Sequence, residues 1–178
     1  MKFSDEIESR YRKQTYAPAE ALAGVEVVEL RRFADAGGSM TELARLDEGR
    51  LLGREGFLAA QMNYSTLEPG AVKAFHVHRQ QTDVWFVPPE DRVLLVLADV
   101  RKGSATEGRS TRLVLGDTRS LLVRIPPGVA HGCKNLASHA ARILYFVDRH
   151  FDPDPARTDE GRLPWDFLGA QIWDIPKE

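Results

Sequence analysis

The sequence predicts an all-β protein, and two observations support this prediction. From residue 25 onward, short runs rich in valine, isoleucine, leucine and aromatic residues recur along the chain. Turn signals containing proline and glycine, such as Pro88-Pro89 and Pro126-Pro127-Gly128, separate these runs. Many short strands at this spacing are typical of an antiparallel sandwich or barrel rather than of alternating strands and helices.

The first elements of the chain are one helix and then strands. Residues 4–16 are predicted as a short helix, with Ser4 as the N-cap and with Ile7 and Tyr11 on one face. Runs of β-branched and apolar residues then predict strands over residues 25–30 and 40–46.

The clearest strand alternation lies in residues 57–67. Met62 and Tyr64 fall on one face of this strand, and Gln61 and Asn63 fall on the other. Further strands are predicted over residues 72–78, 84–87, 93–100, 111–115, 121–125 and 141–147.

The C-terminal tail, residues 151–178, is rich in aspartate, proline and tryptophan. It is predicted to be an irregular wrap over the β-structure, with Trp165, Phe167 and Trp173 as packing anchors. No internal repeat or linker divides the chain. We therefore expect one domain over residues 1–178, with a core of about 25–150.

Composition excludes several classes of protein. The formal net charge of −2 argues against a binder of nucleic acid or anionic membranes. No apolar run approaches the roughly 20 residues that a membrane span needs. The single cysteine, Cys133, rules out an intrachain disulfide and a cysteine-cluster metal site. The first 15 residues are polar and of mixed charge, so the expected location is the cytoplasm.

One group of side chains is suited to chemistry. His76 and His78 are two residues apart, so they point to the same face of a predicted strand. Asp83 begins the next strand, and a turn delivers His131 onto another. Three imidazoles and a carboxylate that converge in a barrel form either a metal site or a general acid–base site.

The spacing around these residues resembles the two motifs of the cupin superfamily, whose fold is a double-stranded β-helix, or jelly roll. Residues 126–135 match P-x-G-x-x-H-x-x-x-N. The first motif is matched with Asp83 at the position where cupins usually have glutamate.

The wider chain resembles one branch of that superfamily, the dTDP-4-dehydrorhamnose 3,5-epimerases and related nucleotide-sugar isomerases. Four segments are similar to motifs of that family, namely D-x-R-G-x-F-x-E, G-V-L-R-G-L-H, V-D-I-R-x-x-S-P-T and I-P-E-G-F-A-H-G. They are residues 35–42, 70–76, 98–104 and 125–132. The similarity extends over roughly residues 25–173.

The resemblance implies an enzyme that moves protons without a cofactor. His76 would remove a proton from a carbon beside the C4 ketone of a dTDP-4-keto-6-deoxyhexose, and Tyr145 would return one to the opposite face. Lys73 would hold an anionic oxygen of the substrate. His131, Asn63 and Glu42 would contribute to substrate binding, with Glu42 acting across a strand-exchanged homodimer. The residues to which the resemblance assigns a role are therefore Lys73, His76, His131, Tyr145, Asn63 and Glu42.

Several positions depart from the family pattern. Gly37 replaces an arginine of the early motif, and Lys73 replaces another. Asp83 falls near a family lysine. The family's later L-S-x-K-D stretch, whose aspartate pairs with the catalytic histidine, has no counterpart in this sequence. We therefore expect Asp83 or His78 to orient His76.

Two other hypotheses remain open at this point. The H-x-H pair is also similar to metal-free 3,4-ketoisomerases and to metal-dependent cupin isomerases and dioxygenases. In the metal hypothesis His76, His78, Asp83 and His131 would bind a divalent transition metal. In a further alternative, a non-catalytic sugar-binding cupin would keep the pocket but need no oriented base.

Overall fold

The computed structural model describes residues 1–13, 21–51 and 57–175. They form one α-helix, fourteen strands and one 3₁₀ helix. The helix α1 is Asp5–Arg10, and the 3₁₀ helix is Ala170–Trp173. The strands are β1 Glu26–Glu29, β2 Arg32–Asp35, β3 Gly38–Thr41, β4 Leu46–Asp47, β5 Arg50–Leu51, β6 Gln61–Leu67, β7 Val72–Val77, β8 Asp83–Phe86, β9 Arg92–Asp99, β10 Ser110–Gly116, β11 Leu121–Ile125, β12 Val129–Asn135, β13 Ala141–Val147 and β14 Gly161–Arg162.

Ten of these strands form two five-stranded antiparallel sheets. Sheet one has the order β1-β11-β8-β13-β6, and sheet two has the order β10-β9-β12-β7-β14. The remaining strands form two small hairpins, β2–β3 and β4–β5. This architecture confirms the predicted all-β jelly roll.

The main core lies between the two sheets. Val123 and Ile143 of sheet one and Leu95 and Leu97 of sheet two are buried in a single apolar cluster. Successive residues of a strand point to opposite faces, so alternate positions of each strand enter this cluster. Sheet two presents its other face to the tail.

The outer face of sheet one is covered by the segment between β1 and β6. Leu51 and Phe57 from this segment pack on Phe86 and Phe146 of the sheet. The predicted strand over residues 40–46 is only partly correct. Its first two residues end the hairpin strand β3, and residues 42–45 lie outside strands.

The predicted N-terminal helix is shorter than expected. Ser4 occupies the N-cap position, but its side chain makes no capping hydrogen bond. Ile7 and Tyr11 are both exposed, and α1 has no buried side chain in the part of the chain that the structure describes. Residues 14–16 of the predicted helix lie outside the described residues. No helix in the described part of the chain has the length and apolar character needed to cross a membrane.

The tail packs on the outer face of sheet two around Phe75. The Phe75 ring meets Phe167 edge-on at 4.7 Å between ring centroids and lies 5.1 Å from Trp173. Trp173 is only 2% exposed. Both aromatic residues are therefore anchors, as predicted.

Trp165 is not an anchor, and that prediction is wrong. Its side chain is 51% exposed. The chain turns after Pro164, where the Phe167 N–H donates to the Pro164 carbonyl at 3.1 Å, and the turn leaves Trp165 outside the buried aromatic cluster. Trp165 contributes to the tail packing through its backbone carbonyl, which accepts a hydrogen bond from the Trp173 indole N–H at 2.9 Å.

The two tryptophans provide a matched test of the tail packing. Trp173→Ala should lower the free energy of unfolding by about 3–5 kcal/mol, because it empties a filled site against Phe75. Trp165→Ala should change it by less than about 0.5 kcal/mol. Urea denaturation of both variants measures the difference. Equal losses would contradict the packing described here.

Candidate functional site

A cavity of about 1100 Å³ opens between the sheets and the tail. Residues of β6, β7, β8, β12 and β13 line its inner wall, and residues 148–152 and 156–160 with Arg162 line the tail side. Seven of the eight predicted site residues line it: Asn63, Lys73, His76, His78, Asp83, His131 and Tyr145.

Glu42 is the exception. It follows β3 and is exposed, and its carboxylate pairs with the Arg45 guanidinium at 2.7 Å. The structure therefore does not bring Glu42 to the cavity of its own chain. Its predicted role across a dimer stays a prediction.

Strand geometry brings the histidines together. His76 on β7 lies opposite His131 on β12 in the antiparallel register. Their rings are stacked with centroids 5.9 Å apart. A register shift follows between His131 and Cys133, which is buried and lines the cavity. Burial raises the pKa of the Cys133 thiol to about 12, which leaves it protonated and a poor nucleophile.

Asp83 forms the centre of a buried polar cluster at the bottom of the cavity. Its carboxylate accepts hydrogen bonds from the Trp85 indole N–H at 3.0 Å and from the Gln81 amide at 2.8 Å. The Nε2 atoms of His131 and His78 lie 3.5 and 3.9 Å from its two oxygens. Burial alone raises the pKa of Asp83, but the hydrogen bond and charge of His131 outweigh it and hold the pKa at about 2.

The same cluster contains the residues that could hold a metal ion. Ligand atoms of His78, Asp83 and His131 all lie within 4.8 Å of one another. The Nδ1 atoms of His78 and His131 lie 3.0 and 3.2 Å from backbone carbonyls, an arrangement that directs each Nε2 towards Asp83. His76 does not belong to this group. The described residues thus assemble three of the four ligands that the metal hypothesis requires.

His76 is oriented by a residue that the sequence analysis missed. Its Nδ1 lies 3.1 Å from a carboxylate oxygen of Glu160. Glu160 also accepts a hydrogen bond from Arg162 at 2.8 Å. The expectation that Asp83 or His78 orients His76 is therefore corrected, because those two residues belong to the buried cluster instead.

The surroundings of His76 favour its neutral form. Burial is the largest cause that lowers its pKa, to about 4, and the nearby His131 and Arg162 lower it too. The Glu160 carboxylate opposes them by raising it. With Nδ1 directed at Glu160, Nε2 is the ring atom that can take up a proton at neutral pH.

Tyr145 enters the same cavity from the opposite sheet. It lies on β13 beside Trp85 of β8, with ring centroids 5.8 Å apart. Trp85 in turn meets His131 edge-on at 5.4 Å. Burial, followed by the charges of Asp83 and Glu160, raises the pKa of Tyr145. Its hydroxyl is therefore protonated at neutral pH.

The last two predicted residues of the cavity, Lys73 and Asn63, also lie on its inner wall. The Lys73 ammonium donates to the Thr66 carbonyl at 3.1 Å, and the Asn63 amide oxygen accepts from Gln61 at 2.7 Å. The sequence analysis did not anticipate the positive side chains that line the cavity near the tail. They are Arg79, Arg149, Arg157 and Arg162.

One family-like motif, residues 98–104, serves the fold instead. Asp99 is buried, and its carboxylate accepts hydrogen bonds from Arg101, Ser104 and Thr106. Arg101 also donates to the Ala23 carbonyl at 2.6 Å, which ties the N-terminal segment to the sandwich. None of these residues lines the cavity described above.

Comparison with known proteins decides the family. The family model described as dTDP-4-dehydrorhamnose 3,5-epimerase matches residues 19–166, well over half of the chain. The chain belongs to the dTDP-4-dehydrorhamnose 3,5-epimerase family. The resemblance seen in the sequence is thereby confirmed.

Relatives within this family support the assignment. The chain is 39% identical over 145 residues to the spore coat polysaccharide biosynthesis protein SpsL of Bacillus subtilis, covering 82% of this chain and 91% of that protein. It is 31% identical to the probable low-salt glycan biosynthesis epimerase Agl13 of Haloferax volcanii, covering 80% and 87%. A solved dTDP sugar isomerase from Desulfovibrio desulfuricans G20 superposes with a TM-score of 0.71 at 27% identity, covering 83% and 88%.

The contact between Glu160 and His76 can be tested without any substrate. Ring protonation of His76, followed by NMR, should have its midpoint near pH 4, because burial and cationic neighbours disfavour the imidazolium. In Glu160→Gln the midpoint should fall further, because the carboxylate that raises the pKa is gone. A rise, or no change, in this variant would contradict the pairing.

Proposed function

We propose that this protein is an epimerase of nucleotide-linked 4-keto-6-deoxyhexoses. One observation carries the proposal: a neutral imidazole and a protonated phenol line one cavity from opposite sheets. His76 is on β7 of sheet two, and Tyr145 is on β13 of sheet one. Inversion at a carbon needs a base on one face of the sugar and an acid on the other, and these walls supply both.

His76 is the proposed base. Its Nε2 removes the proton from a carbon beside the C4 ketone, and the electron pair of the broken C–H bond moves into the carbonyl to form an enolate. Glu160, 3.1 Å from Nδ1, stabilises the imidazolium that results. Because the pKa of His76 is about 4, the base is ready in the free enzyme at neutral pH, and kcat/KM should fall only as the pH drops towards 4.

Tyr145 is the proposed acid. Its O–H donates a proton to the same carbon from the other face, and the C4 carbonyl forms again as the enolate electrons return to carbon. The inverted carbon then carries a solvent-derived hydrogen. The raised pKa of Tyr145 keeps this proton in place until the enolate forms.

Charged and polar side chains around the cavity are suited to the rest of the substrate. Lys73 supplies an ammonium for an anionic oxygen of the diphosphate or the enolate, and Asn63 supplies an amide donor. His131 contributes its ring surface beside His76. Solved structures of this fold, at under 25% identity, include a Legionella pneumophila enzyme in complex with dTDP-4-keto-L-rhamnose. By analogy, we infer a dTDP-sugar for this chain.

Each proposed step moves a proton between the substrate and a side chain, so the reaction needs no cofactor. The whole chain, residues 1–178, is proposed to act as one domain, because the tail completes the cavity formed by the sheets. A nucleotide-sugar substrate also fits the cytoplasmic location predicted from the sequence.

A homodimer is the proposed assembly. Strand β6 lies at the edge of sheet one, and its side chains Met62 and Tyr64 are exposed. Leu46 and Leu58 add exposed apolar surface from the neighbouring segment. An exposed edge strand with apolar side chains is suited to pairing with a second copy. In such a dimer Glu42 would contribute to the partner's cavity.

The dimer can be measured by sedimentation. The protein should sediment at twice the mass of one chain, and the double variant Leu58→Arg/Met62→Arg should shift it to monomer because it places charge in the apolar interface. A monomeric wild-type protein at micromolar concentration would contradict the assembly.

The reaction is tested by deuterium exchange from solvent into dTDP-4-keto-6-deoxyglucose. Wild-type protein should introduce deuterium beside the ketone, and His76→Asn should lower the rate by at least about 100-fold. Tyr145→Phe should reduce epimerisation more than the first exchange, because the base remains. NMR of the sugar reports both events.

Matched variants control for indirect effects. His139→Asn removes another histidine that pairs with a carboxylate, that of Asp91 at 3.1 Å, and neither residue lines the cavity. Tyr11→Phe alters an exposed tyrosine that follows α1 and does not line the cavity. Both should retain wild-type exchange. Wild-type protein that binds the sugar nucleotide but exchanges no hydrogen would instead indicate a non-catalytic sugar-binding protein.

A further inference from the structure

We propose that Asp159 is a positioning residue that orients both imidazoles of the H-x-H pair by clamping the tail to the loop after β7. This inference rests on the proposed function for its catalytic consequence. Its structural basis is independent of the substrate. Asp159 contacts neither the reacting atoms nor the His76 ring, and it acts through its neighbours in the chain.

The clamp consists of three backbone hydrogen bonds to one carboxylate. The N–H of Arg79 donates to Oδ1 of Asp159 at 3.1 Å, and the N–H groups of Gln80 and Gln81 donate to Oδ2 at 2.8 Å each. Successive backbone N–H groups in a turn form a concave site for an anion. Burial raises the pKa of Asp159, but these N–H groups outweigh it and lower the pKa overall, so the carboxylate is ionised.

The clamp reaches His78 through the backbone of Asp159 itself. The Asp159 carbonyl lies 3.0 Å from Nδ1 of His78 and accepts its proton. This hydrogen bond leaves Nε2 facing Gln81 and Asp83, at 3.4 and 3.9 Å. The orientation and protonated nitrogen of His78 therefore depend on where Asp159 is held.

The clamp reaches His76 through the next residue. Glu160 follows Asp159 and places its carboxylate 3.1 Å from Nδ1 of His76. Gly161 then pairs with Val77. A Cβ atom at Gly161 would lie 2.9 Å from the Val77 carbonyl oxygen, so the two backbones approach closely here. The Asp159 hydrogen bonds before Glu160 and the Gly161 pairing after it hold the backbone of Glu160 in place. The Glu160 side chain is thereby directed at His76.

The carboxylate, rather than the size of the side chain, is the required property. Both oxygens of Asp159 accept hydrogen bonds, and an asparagine offers only one acceptor oxygen. In Asp159→Asn the amide NH₂ must face at least one backbone N–H group. Both groups are donors, so no hydrogen bond forms between them. The variant conserves volume, so it weakens the clamp without leaving a cavity.

The matched control is Asp154→Asn. Asp154 lies in the same tail, accepts the Ala156 backbone N–H at 2.9 Å and pairs with Arg157 at 3.2 Å. Among the described residues, its side chain makes no hydrogen bond or ion pair with the loop after β7 or with a histidine. This variant should keep the wild-type kcat.

The kinetic test compares these two variants with wild-type protein in the deuterium-exchange reaction. Asp159→Asn should lower kcat by about 10- to 100-fold, because the base is displaced, while KM stays within about two-fold. A partial loss of folded protein would also lower the apparent kcat at unchanged KM, so each kcat is calculated per folded molecule, with the folded fraction taken from thermal unfolding of the same sample. A wild-type kcat in Asp159→Asn would overturn the proposal.

A second measurement needs no substrate, and its first part uses wild-type protein alone. NMR of ¹⁵N-labelled histidine in wild-type protein should show His78 protonated at Nδ1, and Asp159→Asn should change the His78 and His76 ring signals whereas Asp154→Asn does not. A bare Nδ1 on wild-type His78, or unchanged ring signals in Asp159→Asn, would overturn the clamp. If wild-type protein exchanges no sugar hydrogen, the proposed function fails, but the ring signals still decide the role of Asp159.

Discussion

A short stretch of backbone pairing attaches the C-terminal tail to the strand that carries His76. Gly161 pairs with Val77, and Arg162 pairs with His76. Much of the site depends on this short ladder, because it brings Glu160 to His76 and forms the outer wall of the cavity. The aromatic packing of Phe167 and Trp173 on Phe75 secures the same tail further along the chain.

Three aspartates are buried among the described residues, and they differ in the kind of side chain that pairs with them. Asp99 pairs with Arg101, and Asp91 pairs with Arg142. Guanidinium groups stay charged at all ordinary pH values, so these pairs are permanent. Asp83 instead lies between two imidazoles, those of His78 and His131. Asp83 is thus the buried aspartate that lies at the bottom of the cavity, where imidazoles rather than a guanidinium group pair with it in the described structure.

The sequence predicted the fold and the inner wall of the site well, because both follow from local spacing. Alternation along a strand is enough to place His76 and His78 on one face, and Asp83 follows at the start of the next strand. The proline- and glycine-rich turn before His131 predicts a further strand. These local patterns, together with the family resemblance, pointed to seven residues that line one cavity.

The tail was harder to predict, for physical reasons. A two-residue strand such as Gly161–Arg162 has no detectable periodicity, and the contact between His76 and Glu160 joins residues far apart in the chain. Glu160 lies within the stretch of family similarity, but nothing in that similarity assigned it to a histidine. Trp165 failed as an anchor because composition identifies the aromatic residues of a segment but not which of them the turn after Pro164 directs outward.

The cavity has walls of two different kinds. The proposed acid, Tyr145, and base, His76, are on long strands that also build the core, whereas most of the arginines around the cavity come from the tail and the loop after β7. A substitution on the strands disturbs packing as well as chemistry, but a substitution among those arginines leaves the core untouched. The preference for one nucleotide or sugar over another can therefore diverge among homologues, or be redesigned, at Arg79, Arg149 and Arg157. Arg162, which donates to Glu160 beside His76, is instead retained with the proton-transfer residues.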